Sequence, residues 1–373
     1  MANNTDISGL DTACFQDDYR HARQRLLDTV ARLPAGLIQQ QQAFTHPLPG
    51  PDAQPLFLDW LWLGKSPSPE RMLVLISGTH GVEGFAGSAI QSHWLPTLAE
   101  QLQQQPNLGL IIVHALNPWG FAWLRRYDHE GIDLNRNFID FSAPLPANEK
   151  YDQVHDALLC DTSTQLDSVL THWQTQWGKQ PFEAVITQGQ YRHADGMFYG
   201  GTAPSWSRQV LEQACNIPAL QQAQHIAVID LHTGLGPFGH GEVINDHTPG
   251  SPGFELACRW YEANAQSALL GESCSPPKTG LLDYFWHELM GARGCCVTLE
   301  YGTYSLDRLL MVSCEEQRYH NSLAQQPEAR RQLDHPAVTA LRDFFYPQHH
   351  SWRELVLFRA GQIIRLALQG MKT

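Results

Sequence analysis

An imidazole and a carboxylate three positions apart, His80 and Glu83, stand just after the apolar run Leu73-Val74-Leu75-Ile76 breaks at Ser77-Gly78-Thr79. Both side chains ligate zinc by their chemistry, and the break after a buried strand is where open α/β sheets collect ligands. With 18 histidines in the chain, chance pairs of this kind are common, and a helix-capping Glu83 explains the same residues. A second imidazole, His232, ends the run Ile226-Ala227-Val228-Ile229-Asp230-Leu231 ahead of Gly234. A second carboxylate, Glu300, ends Cys295-Cys296-Val297-Thr298-Leu299 ahead of Gly302. Two imidazoles and one carboxylate leave a fourth zinc position open to water, as hydrolytic rather than structural sites do, and Glu300 is then free to accept and return a proton. Arg125, Arg126 and Arg136 cluster in one short stretch of an acidic chain. Guanidinium groups bind carboxylates through paired hydrogen bonds and stabilise oxyanions. The plainer reading is a solvated loop paired with Asp128, Glu130 and Asp133.

For these residues to meet, the strands before them must run the same way, so that their C-terminal ends share one edge. The run ending at Ile76, a helical stretch to about Gln104 and the run Leu110-Ile111-Ile112-Val113-His114 make a βαβ unit. A parallel or mixed sheet with helices on both faces follows. Residues 17–33, 149–177, 207–215, 218–224 and 341–371 carry helical spacing, residues 56–63 read as a strand, and the run at 182–187 reads as a further strand. Residues 188–206, rich in glycine and aromatics, read as a loop lining a pocket. Residues 39–42 are a glutamine run too brief to be low complexity.

Composition narrows the classes. A 43% hydrophobic content supports a large core, and a net charge of −13 argues against nucleic-acid or anionic-membrane partners. The polar, acidic start shows no signal peptide, and no apolar run approaches the ~20 residues of a membrane span. Eight cysteines without a Cys-x-x-Cys pair read as free thiols in a reducing cytoplasm. There is no Gly-x-Ser-x-Gly, and His287-Glu288 lacks a second histidine at Gly291, so a nucleophile-elbow hydrolase and a His-Glu-x-x-His zincin are set aside.

The order His-x-x-Glu, Arg126, Asp133-Leu134-Asn135-Arg136-Asn137-Phe138, Asp230-Leu231-His232 and a strand-ending Glu300 resembles the M14 zinc carboxypeptidase superfamily over about residues 55–305. The His-Gly-x-Glu form and residues 126–138 resemble its bacterial amidase-like and acyl-amino-acid deacylase branches, and the 188–206 stretch and the overall length resemble its bacterial DUF2817 group. The resemblance implies a three-layer α/β/α fold around a central mixed, largely parallel twisted sheet. It implies one catalytic domain over 1–373, with an N-terminal helical extension (1–50), a helical and loop insertion (139–224) that narrows the cleft, and C-terminal helices (337–373). It implies one zinc ion on His80, Glu83 and His232, and Glu300 as general base and acid. Arg126 would stabilise the oxyanion, with Arg125 as the less favoured register. Asn135 and Arg136 would grip a substrate carboxylate, and Asp133 would orient His80. Val82 replaces an arginine of digestive carboxypeptidases, and Tyr284 is the nearest candidate for their substrate-capping tyrosine. The implied activity is hydrolysis of an amide beside a free carboxylate, as in a carboxypeptidase or peptide amidase. An N-acyl amino acid deacylase of the aspartoacylase or succinylglutamate desuccinylase kind is the alternative, and a non-catalytic binding module a remote one. The substrate would be a short peptide or an acylated amino acid; oligomeric state is not readable.

Overall fold

Strand alternation decides the architecture. In a computed structural model of the chain, described over residues 9–160, 162–325 and 330–373, eight strands form one sheet: β1 (Ile38–Thr45), β2 (Phe57–Gly64), β3 (Arg71–Ser77), β4 (Leu108–His114), β5 (His225–Gly234), β6 (Gly241–Asn245), β7 (Ala265–Ser267) and β8 (Gly294–Gly302). Successive side chains of a strand point to opposite faces. Leu73, Leu75, Ala227, Ile229, Val297 and Leu299 therefore enter one core, with the helices Gly84–Gln104 and His350–Gly370. Met72, Val74, Ile76, Val228 and Cys296 enter another, with the helices Trp206–Cys215 and Leu282–Met290. A strand apolar on both faces needs cover on both, and that requirement makes three layers.

The sheet order is β1-β2-β4-β3-β5-β8-β6-β7. The central strands β4, β3, β5 and β8 are mutually parallel, while β2 lies antiparallel to β4 and β6 antiparallel to β8. The chain leaves β3 for β4 on one side and later returns to β5 on the other. β3 and β5 therefore flank a topological switch point, where a crevice opens beyond the strand ends.

The mixed, mostly parallel sheet with flanking helices agrees with the sequence reading, but several elements differ. The expected strand at 182–187 is the helix Lys179–Thr187. Phe182, Val185 and Ile186 lie three and four apart and bury one helical face against Tyr151, Val154 and Leu166. Among the described residues of the 1–50 extension, helix occurs at the short 3-10 turn Thr12–Cys14 and the α-helix Tyr19–Ala31, and the glutamine run lies in edge strand β1. An edge strand with one face to solvent accommodates glutamines that a central strand would not. Residues 1–8 of that extension lie outside the described residues. The 149–177 stretch divides into Glu149–Leu158 and Ser163–Trp177, and the tail into Pro336–Phe345 and His350–Gly370. β6, β7 and the helices Pro252–Tyr261 and Leu306–Ala324 were not anticipated. All eight cysteines are unpaired. Among the described residues no helix is long and apolar enough to cross a membrane.

Candidate metal centre

His80 and Glu83 follow β3 in a tight turn, Gly81–Glu83, whose backbone is stitched to the arginine segment. Gly81 N–H donates to the Arg126 carbonyl and Val82 N–H to that of Arg125. A side chain at Gly81 would collide with the Gly120 backbone, so only glycine permits this approach. His232 lies within β5, in register with Glu300 on β8. The three expected ligands converge and are buried. His80 Nδ1 is 3.0 Å from Glu83 Oε1, His232 Nδ1 is 3.2 Å from Glu83 Oε2, and the two Nδ1 atoms are 3.2 Å apart. Ligands tetrahedrally disposed about zinc lie about 3.3 Å from one another.

The far side of each ring fixes which nitrogen faces inward. His80 Nε2 lies 2.9 Å from Asp133 Oδ1, and His232 Nε2 lies 2.6 Å from Asp230 Oδ2. Carboxylate partners assign the proton to Nε2 and leave the Nδ1 lone pairs pointing at Glu83. Arg126 Nη2 is also 2.9 Å from His80 Nε2; an unprotonated Nε2 would accept from it. A ligating Nδ1 requires the proton on Nε2, where the Asp133 carboxylate accepts its hydrogen bond. Asp230 is held by the Thr79 hydroxyl at 2.8 Å, and Glu83 Oε2 accepts Thr233 N–H at 3.0 Å. Burial works to raise the Glu83 pKa, but His80 and His232 in their protonated forms, and the Arg126 guanidinium, hold this carboxyl well below the usual carboxylate range. Inward lone pairs, an ionised carboxylate and carboxylates behind both imidazoles together fit one divalent ion.

A second group, His155, His193 and Asp195, also brings ligand atoms together. Its imidazoles stack with centroids 3.9 Å apart and planes inclined 24°. Their lone pairs run side by side rather than converging, so this group does not match the first.

Around the centre lies a cleft of about 50 Å³, lined by the three ligands and by Arg126, Asn135, Arg136 and Glu300. Arg126 Nη1 donates to Glu83 Oε1 at 2.6 Å, and its Nε is 3.4 Å from Asp133 Oδ2. Asp133 also caps the turn Leu134–Arg136 by accepting Asn135 N–H. Asn135 Oδ1 accepts Leu282 N–H at 2.7 Å, leaving the amide nitrogen for the cleft. Arg136 is fully buried, its Nε and Nη2 donating to the Thr187 carbonyl and its Nη1 to that of Asn135. It has no carboxylate within ion-pair distance among the described residues. Two of its N–H groups remain uncommitted, a fork of the kind that binds a carboxylate. Glu300 Oε1 accepts Leu235 N–H at 2.9 Å. Burial and the charge of Glu83 raise the Glu300 pKa, toward the range in which a carboxyl both takes and returns protons.

Residues 15–359 match the family described as "Protein of unknown function (DUF2817)". The chain belongs to this family. Its structure is similar to that of thrombin activatable fibrinolysis inhibitor, with TM-score 0.50 and 13% identity over 90% of this chain and 75% of that one. It also resembles a carboxypeptidase A from Helicoverpa armigera, with TM-score 0.48 and 12% identity over 99% of this chain and 76% of that one. At such identities the likeness is one of fold alone, a carboxypeptidase-like α/β fold. No curated protein matches the chain.

In this DUF2817 chain two expected site residues do not reach the cleft. Arg125 turns the other way, its Nε 3.1 Å from Glu316 and its Nη2 donating to Gln317 at 2.7 Å. Of the two, Arg126 alone reaches the metal centre. Tyr284 is 39% exposed, and its hydroxyl donates to the Lys278 carbonyl at 2.9 Å. Lys278 itself, together with Asp246 and Phe198, lines the cleft instead. Phe198 comes from the loop read as pocket-lining and lies under both Arg126 and Arg136. The sequence reading assigned no role to Asp230, although an acid two residues before a strand histidine shares its face.

Beyond Asp230 lies Asp283, buried with neither carboxyl oxygen hydrogen-bonded. Burial and the charges of Asp246 and Asp230 push its pKa up to about 8. An acid whose folded pKa exceeds its unfolded value of about 4 destabilises the fold increasingly as pH rises between the two values. Asp283→Asn is therefore expected to raise the melting temperature by a few degrees at pH 8, with the gain shrinking toward pH 5. Thermal denaturation at both pH values checks this; a gain that does not change with pH would refute it.

Proposed function

We propose that this chain is a zinc-dependent hydrolase that cleaves an amide bond beside a free carboxylate, in the manner of a carboxypeptidase or peptide amidase. The observation that carries the reading is one cleft that gathers His80, Glu83 and His232, the free carboxylate of Glu300 and the unpaired guanidinium of Arg136. The ion on His80, Glu83 and His232 would polarise the scissile carbonyl and make water a better nucleophile. Asp133 and Asp230 keep both imidazoles in the ligating tautomer. Glu300 takes a proton from the attacking water and gives it to the leaving amine. Arg126, partly neutralised by Glu83, adds positive charge where the oxyanion forms. Arg136 and the Asn135 amide hold the substrate carboxylate. The residues from 1 to 373 act as a single catalytic domain.

A deacylase acting on N-acyl amino acids would use the same groups, and the small volume of the cleft favours it, as does the apolar wall of Leu235, Leu306, Leu309 and Phe345. A panel of short peptides and N-acyl amino acids, assayed with and without chelator, separates the two. Chelator-insensitive hydrolysis, or none on either set, would overturn the proposal. Within it, Arg136→Ala is expected to raise KM for carboxylate substrates by at least ~10-fold while sparing their uncharged amides, since a charge-assisted pair is lost. Equal losses on both would remove Arg136 from the clamp.

A further inference from the structure

The cleft holds a cation with no assigned role. Lys278 is half-buried, lines the cleft and makes one side-chain hydrogen bond, from Nζ to the Pro276 carbonyl at 3.2 Å. No carboxylate lies within ion-pair distance of Nζ among the described residues. Arg136, on the same cleft, is likewise held by carbonyls rather than by a carboxylate. Arg126 differs, with Glu83 and Asp133 beside it. The charged groups that act on Lys278 are Arg136, Asp246, Glu300 and Arg126. Asp246 is the carboxylate that influences both Lys278 and Arg136, yet it forms no ion pair with either. Beside the metal centre, Arg136 and Lys278 are thus two cations on one cleft with no carboxylate paired to either among the described residues, although Asp246 and Glu300 line the same cleft.

We propose that Lys278 is the second cation of the substrate-carboxylate clamp, so that the bound carboxylate bridges Arg136 and Lys278. This rests on the carboxylate-binding part of the proposed function, not on turnover. A fork donor and a point-charge donor on one carboxylate divide the work: Arg136 sets its orientation, and Lys278 adds attraction that a neutral isostere cannot attract. Burial and the positive charge of Arg136 push the ammonium down to about 8, and a bound carboxylate between the two cations would restore it. Affinity for the anion therefore weakens as pH passes through that value.

The test is binding of N-acetylglycine to the zinc-loaded protein, followed by ligand NMR at pH 6.5 and pH 9, with N-acetylglycinamide as the uncharged twin. Neither ligand carries a titrating amine. Wild type is expected to bind N-acetylglycine about tenfold more weakly at pH 9, the change implied by a pH one unit above the pKa of about 8 in the ligand-free protein. Lys278→Met is expected to bind it at least ~10-fold more weakly at pH 6.5, and Lys278→Arg to bind it tightly at both pH values. N-acetylglycinamide should bind all three proteins alike. Wild-type affinity in Lys278→Met, the same alkaline loss in Lys278→Arg, or an equal loss for the amide would each overturn the assignment. Should Lys278→Met fail to fold, the Lys278→Arg pH comparison still decides. Carboxylate binding with no hydrolysis across the peptide and N-acyl amino acid panel would sink the hydrolase reading and leave this one standing; hydrolysis with no role for Lys278 would do the reverse.

Discussion

Glu300→Gln is expected to retain its metal and to lower kcat by ~10²–10⁴-fold, the range that a positioned acid–base group supplies. The substitution keeps the shape of the side chain, and its amide oxygen can still accept Leu235 N–H as Glu300 Oε1 does. What it removes is the ability to carry a proton between water and the departing amine. Because KM reflects the clamp rather than this group, the loss should fall on kcat. Elemental analysis alongside steady-state kinetics separates the possibilities. If the variant lost its metal, Glu300 would be a structural support of the centre; a residual rate near wild type would exclude it as the proton carrier.

His232→Ala is expected to drop bound zinc from one equivalent to near none and to take activity to background. With this imidazole gone, Glu83 loses one of its two imidazole neighbours, and Asp230 loses the ring it hydrogen-bonds at 2.6 Å. Asp230→Asn is a graded companion: it should keep the ligand but weaken metal affinity by about 10–100-fold, as loss of an orienting carboxylate does. Competition with a chromogenic chelator measures both. Full metal loading in His232→Ala would end the case for this centre.

Much of the sheet could be read in advance, because apolar runs that stop at glycine mark buried strands and their ends. Parallel pairing then places His80, His232 and Glu300 on one edge whatever their separation along the chain. Elements without that contrast were harder to see. Strand β6 is five residues long and interrupted by Glu242, and β7 has only three residues. The stretch at 182–187 is apolar at positions that suit either a strand or a short helix, and its neighbours settled it as a helix. Arg125 and Arg126 are indistinguishable by type; only the backbone bonds from Gly81 and Val82 fix which of them faces the ligands. Lys278, a lone lysine after two prolines, offers no motif at all. Its place in the cleft comes from the loop that precedes the helix Leu282–Met290.

His80 and His232 touch across 152 positions of sequence, because β5 slots between β3 and β8. Contacts of such range form late, after a costly loop closure. A chain still emerging from the ribosome can pair β3 with β4 yet hold no complete set of ligands. On the proposed reading, capture of the ion by all three residues would wait for β5 to join β3, which would make a fully loaded centre a reporter of finished sheet assembly.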